Sequence, residues 1–260
     1  MIAILLAAVL AYPLKNCEAV LKVAEGRVFD NLDLGIPGPA DQIVERRGYA
    51  LGYSERYEQP LWVSYRLTAD EVTNTVVARA GQRFLPDLAI ATGSALPSDY
   101  TRAGYDRGHL APAADFRFDR QTMLESFSMA NMSPQLPAFN RGMWKRLEEH
   151  VRALAVQRGS LVVVTGPIFY TNTSVRVIGE SRVRVPDAFY KAVYAETEPP
   201  GMVAFVLPHE GSQVAFCAFV TNVDAVEEMS GLDLFSALPD VIETNLEQRV
   251  DASLSGASAP

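Results

Sequence analysis

Apolar and polar residues alternate along two stretches in the first third of the chain, residues 42–53 ("QIVERRGYALGY") and 60–68 ("PLWVSYRLT"). A two-residue period sends successive side chains to opposite faces, so both predict half-buried antiparallel strands. Residues 160–170 ("SLVVVTGPIFY") are apolar almost without interruption. That run predicts a central strand covered on both faces. Residues 187–197 ("DAFYKAVYAET") and 201–208 ("GMVAFVLP") predict two more strands. Helical spacing is rarer. Residues 119–128 and 223–232 are short candidates, and residues 139–159 ("FNRGMWKRLEEHVRALAVQRG") form the long one. In it Met143, Leu147, Val151 and Leu154 step by four, four and three, which builds one apolar stripe, and Gly159 stops the helix. Strands mixed with a few helices, without a βαβ repeat, predict an α+β chain organised around a sheet.

Composition narrows this to one domain. The chain has 260 residues, 48% of them hydrophobic and 21% charged, with no repeat or low-complexity block. That is enough to bury a core without staples. Cys17 and Cys217 are the two cysteines, too few for a disulfide framework. Residues 1–19 begin with about ten apolar residues, whereas a bilayer span needs roughly 20. The segment reads as a secretory leader, although no Lys or Arg precedes the apolar run and no clean small-x-small cleavage site follows it. The expectation is a leader over 1–19, a single domain over 20–250 and a flexible tail over 251–260, in a secreted or periplasmic protein with no stable membrane partner.

Residues 105–116 ("YDRGHLAPAADF") carry one of only three histidines, His109, the others being His150 and His209. On the long helix, Asn140, Trp144, Glu148 and Arg152 step by four along the flank of the apolar stripe, so all four can lean toward one neighbouring surface. Taken singly, each has an ordinary explanation. A lone histidine is more often a surface or satisfied core residue, Asn140 an N-cap, Glu148 and Arg152 an i,i+4 ion pair, and Trp144 core.

Their combination and order carry more. Asp106-Arg107-Gly108-His109, then "NMSPQ" at residues 131–135, then "FNRGMWKRLE" at 139–148, resembles the DNA/RNA non-specific endonucleases, a family that includes mitochondrial endonuclease G and secreted bacterial nucleases. The match covers most of the chain in outline and is specific over residues 105–152. The resemblance implies a ββα-metal (His-Me finger) nuclease built on a central, mainly antiparallel sheet with flanking helices. By the family's motif, His109 at the end of the first strand is the general base and Asn140 at the start of the helix the Mg2+ ligand, with Mn2+ able to substitute. Arg107 is a phosphate contact, Glu148 and Arg152 are supporting catalytic groups, and Asp106 and Asn131 help hold the site. DNA and RNA would be the substrates, cut without regard to sugar or sequence to leave 5′-phosphate and 3′-hydroxyl ends. A homodimer is the family's default.

The residue types fit that chemistry independently. Phosphodiester hydrolysis needs an activated water, charge stabilisation on the phosphate and help for the departing oxygen. Imidazole accepts a proton near neutral pH, and Arg107, two residues before His109, would project to the same side of an extended strand and fork onto a phosphate oxygen. One neutral ligand suffices for magnesium, which keeps several of its waters. Glu148 lies eight residues beyond Asn140, about 12 Å in helical rise, too far to bind the same ion directly.

The total charge opposes binding to nucleic acid, since the chain carries −8 with a pI near 5.0. It is uneven: residues 102–152 hold eight Arg or Lys against six Asp or Glu, a net of +2 that leaves −10 elsewhere. Arg107, Arg141, Lys145, Arg146 and Arg152 predict a locally basic cleft on an acidic body. Two other readings stay open here, a non-catalytic nucleic-acid-binding module of the same fold and a phosphodiesterase acting on small nucleotides.

Overall fold

The computed structural model describes residues 31–256. The leader expected over residues 1–19 lies outside them. Eleven strands run in chain order: β1 (Gln42–Glu45), β2 (Ala50–Ser54), β3 (Gln59–Thr68), β4 (Asp106–His109), β5 (Met132–Gln135), β6 (Ser160–Ile168), β7 (Val177–Ile178), β8 (Val183–Arg184), β9 (Ala188–Ala195), β10 (Gly201–Pro208) and β11 (Val220–Thr221). Five α-helices accompany them: α1 (Ala69–Thr73), α2 (Arg120–Ser126), α3 (Lys145–Arg158), α4 (Val223–Ser230) and α5 (Asp240–Glu247).

Seven strands form one antiparallel sheet in the order β1-β2-β3-β6-β9-β10-β11, with β6 at its centre. The apolar run of β6 is divided between two cores by its pleat. Leu161 and Val163 join the cluster under α3, while Val162, Val164 and Ile168 join the cluster under α4 on the opposite face. The apolar stripe is as spaced in the sequence: Met143, just before α3, and Leu147, Val151 and Leu154 on α3 are all buried in one cluster with Phe189, Val193 and Phe205. At the C-terminal end of α3, Gly159 takes φ +83°, a conformation that L side chains rarely adopt.

Three local expectations differ. Residues 42–53 form a hairpin, not one strand, because Arg46-Arg47-Gly48 turns the chain and the Arg46 N–H bonds the Tyr49 carbonyl at 2.7 Å. β2 and most of β3 are fully buried, not half-buried, since the sheet is covered on both faces. The expected loose tail is docked as far as it is described: Leu254 is buried, and its carbonyl accepts a hydrogen bond from His150 Nε2 at 2.8 Å.

β4 and β5 stand apart from the main sheet as a two-stranded antiparallel ribbon, with α2 in the connection between them. A wide helical turn over Phe139–Trp144 follows β5 and leads into α3. Strand, strand and helix therefore meet at one place, and the main sheet serves as their platform.

Candidate active site

The ribbon's register places Asp106 opposite Gln135, Arg107 opposite Pro134, Gly108 opposite Ser133 and His109 opposite Met132. Gly108 does not turn the chain. A Cβ there would lie 2.2 Å from the buried Gln135 side chain, so glycine is what lets the two strands close. Beyond His109 the backbone is clamped by Asn131, which is fully buried. Its Oδ1 accepts from the Ala111 N–H, and its Nδ2 donates to the Ala111 and Ser126 carbonyls, all at 2.9 Å.

His109 and Arg107 line one cavity of about 580 Å³ together with Asp106, Asn140, Arg141, Lys145, Glu148 and Arg152. His109 is 7% exposed, wedged against the rings of Phe84 and Phe127 at 5.5 and 5.0 Å, and its Nε2 has no hydrogen-bond partner among the described residues. Burial, helped by the charge of Arg79, pushes the imidazole down to about 3, so at neutral pH it is uncharged, with a lone pair on one ring nitrogen. Arg107 donates to the Pro97 carbonyl at 2.7 Å and lies over Phe84 and Tyr100, while its Nε is buried without a partner. Both side chains touch Phe84, as expected for residues two apart on one strand.

Asn140 sits in the wide turn, where Gly142 (φ −107°, ψ −106°) breaks helical geometry. It is not an N-cap, since its own N–H bonds the Leu136 carbonyl at 2.9 Å. Its Nδ2 donates to Asp106 Oδ2 at 3.0 Å, and Arg141 grips both oxygens of the same carboxylate at 2.8 and 2.6 Å. Burial pushes Asp106 up, but the hydrogen bonds from Arg141 and Asn140 outweigh it and hold the acid below the usual carboxylate range. Asp106 is thereby committed to orienting Asn140, whose carbonyl oxygen is the donor left for a cation. The cleft's remaining donors are oxygens and a single imidazole, with no cysteine. Such a set suits a hard ion such as magnesium or manganese better than zinc.

Behind the cleft, Arg152 pairs with the buried Asp115 at 2.8 Å, and Tyr65 donates to the same carboxylate at 3.0 Å. Burial raises the pKa of Glu148 and lowers that of Lys191, while each opposes the shift of the other. Lys191 is fully buried, its Nζ 4.8 Å from the Trp144 ring centroid. Trp144 itself has left the flank shared with Asn140, Glu148 and Arg152 and is buried between Phe139 and Phe189. Lys145 is at the cleft rim, paired with Glu149 at 3.5 Å, whereas exposed Arg146 is not among the residues that line it. Sequence reasoning missed Arg79, Phe84, Asp115 and Lys191. Only Lys191 left a signal, a lone cation inside an apolar strand. The other two histidines have structural bonds: His209 Nε2 accepts from the Leu136 N–H and its Nδ1 donates to the Pro186 carbonyl, both at 2.8 Å, and His150 holds the tail.

A family model described as DNA/RNA non-specific endonuclease matches residues 28–241. The mitochondrial Nuclease 1 of Schizosaccharomyces pombe is 35% identical over 224 residues, covering 79% of this chain and 69% of that one. The mitochondrial nuclease of Saccharomyces cerevisiae is 32% identical, with the same coverage of each chain. Human mitochondrial endonuclease G is 31% identical, covering 76% of this chain and 70% of its own. In a solved complex of EndoG with EndoGI, a chain 32% identical superposes with a TM-score of 0.76, covering 82% of this chain and 93% of its own.

These relatives correct the expectation of a secreted or periplasmic protein, since all three are named as mitochondrial nucleases. The apolar segment on which that expectation rested lacks a basic n-region and lies outside the described residues. With a ββα arrangement around His109 and a match that runs nearly the length of the described chain, the protein belongs to the DNA/RNA non-specific endonuclease family and is a phosphodiester-cleaving enzyme.

Proposed function

We propose that the cleft hydrolyses DNA and RNA without reading sugar or sequence, with His109 as general base and Asn140 as the protein ligand of a divalent ion, magnesium first and manganese in its place. The observation that carries this reading is a neutral, buried imidazole lining the same cavity as Asn140 and five cationic side chains, Arg79, Arg107, Arg141, Lys145 and Arg152. Cations such as these contact phosphate, which positions a strand but carries no sequence information.

Arg107 would hold the scissile phosphate, its guanidinium fixed by the Pro97 carbonyl and the Phe84 ring. His109 takes a proton from water as the water oxygen attacks phosphorus. The bond to the 3′-oxygen then breaks, that oxygen gains a proton from solvent, and the products are a 5′-phosphate and a 3′-hydroxyl. When bound, the ion would supply positive charge at the phosphate and the departing oxygen. Asp106 orients Asn140 for that ligand role. Arg152, anchored by Asp115, and Glu148 support the far wall of the cleft. Lys145 and Arg141 extend the phosphate track at the rim, and Arg146, on the exposed side of α3, contributes charge at longer range.

The test is digestion of plasmid DNA, single-stranded DNA, RNA and mononucleotide diesters by purified protein, with magnesium titrated against a chelator. Cleavage of both polymers that stops with chelation is the expected result. Binding without cleavage would favour a nucleic-acid-binding module, and cleavage of small diesters alone would favour a nucleotide phosphodiesterase.

A further inference from the structure

α4 and α5 cover the sheet face opposite the cleft, where Val223, Val226 and Leu246 join the core of Tyr190, Ala192, Met202 and Ala204. Three acids converge there. Asp224, Glu227 and Glu247 each present a carboxylate oxygen, and the three oxygens lie within 4.8 Å of one another. Glu247 is only 5% exposed, and its buried Oε1 has no hydrogen-bond partner among the described residues. Glu243, one turn earlier on α5, leaves a second buried oxygen unpartnered. Among the described residues, no lysine or arginine forms an ion pair with any of the four. A buried carboxylate with neither donor nor counter-ion is unfavourable, and the ways out are protonation or a bound cation.

We propose that Asp224, Glu227 and Glu247 bind a divalent cation of the calcium class that ties α4 to α5 on the far side of the sheet from the cleft. Oxygens on opposite sides of one calcium ion, at about 2.3–2.6 Å each, stand roughly 5 Å apart, so the observed spacing admits a single ion without rearrangement. Glu227 is already fixed, since its Oε1 accepts from the Leu234 N–H at 2.8 Å.

Thermal unfolding of the full chain, stripped with chelator and then titrated with calcium chloride, tests the site. Wild type should gain about 5 to 10 °C at free calcium about 100-fold above the dissociation constant. Glu247→Gln should lose that gain, and so should Asp224→Asn, which alters an exposed residue and spares the core. Asn140→Ala should keep it, which separates this site from the cleft. An unfolding temperature indifferent to calcium in wild type, or a full gain retained in Glu247→Gln, would leave only a protonated acid and overturn the proposal. Loss of the gain in Asn140→Ala would assign the effect to the cleft and overturn it equally.

Discussion

His109 is held neutral by the same burial that places it in the cleft, and this has a cost visible in stability. Its pKa is near 3 in the folded chain and about 6.5 when unfolded, so between those values the unfolded chain takes up a proton that the folded one refuses. Stability from this group is therefore complete above about pH 6.5 and falls as pH drops toward 3, by roughly 1.4 kcal/mol per unit. Urea unfolding at pH 6.5 and pH 5 should show His109→Phe losing about 2 kcal/mol less than wild type. Equal losses would mean the imidazole is not buried as described. Asn140 makes a separate prediction. Asn140→Ala should lose activity in a manner partly restored by raised magnesium, because the ion would be weakly held rather than unnecessary. Full activity of that variant at low magnesium would place the ligand elsewhere. At this scale the sequence was legible where a motif spoke: His109, Asn140 and Arg107 line one cavity. Arg79 was not legible, because it arrives from a loop with no motif of its own.

The ribbon of β4 and β5 depends on Gly108, since any side chain there meets Gln135. Gly108→Ala should destabilise the fold by about 1–3 kcal/mol, the usual range for overpacking, and should slow cleavage by displacing His109 next to it. Chemical denaturation beside a rate measurement checks both; an unchanged midpoint would show that Gln135 has room to move. Helix α3 was readable from its stripe and its glycine stop because period and termination are local properties. The turn over Phe139–Trp144 was not. A wide turn inserts into a helix without disturbing the apolar steps enough to show in a 3.6-residue pattern. Its consequence is the separation of Trp144, which enters the core, from Asn140, Glu148 and Arg152, which line the cleft. The hairpin of β1 and β2 was hidden for a related reason, as alternation continues in register on both sides of the Arg46-Arg47-Gly48 turn.

Across the whole molecule, charge is divided between a cationic cleft and an acidic remainder of −10 outside residues 102–152. Of the five cations lining the cleft, Arg141, Lys145 and Arg152 are already paired with Asp106, Glu149 and Asp115. Few phosphates are therefore neutralised at once, and the slope of log affinity against log salt should be roughly −2 to −5, at about −0.9 per contact on duplex DNA. A slope near −10 by fluorescence anisotropy would mean a much larger basic surface. The fold's two-sided sheet explains why such a cleft can be precise: one face carries α3 and the ribbon, the other is closed by α4 and α5. The central claim is that His109 takes the proton from the attacking water, and single-turnover cleavage of plasmid DNA by His109→Ala at saturating magnesium tests it most directly. The rate should fall by about 10²- to 10⁴-fold, the range for a lost general base, while DNA affinity measured without metal stays close to wild type. A variant that keeps more than about a tenth of the wild-type rate would contradict the assignment.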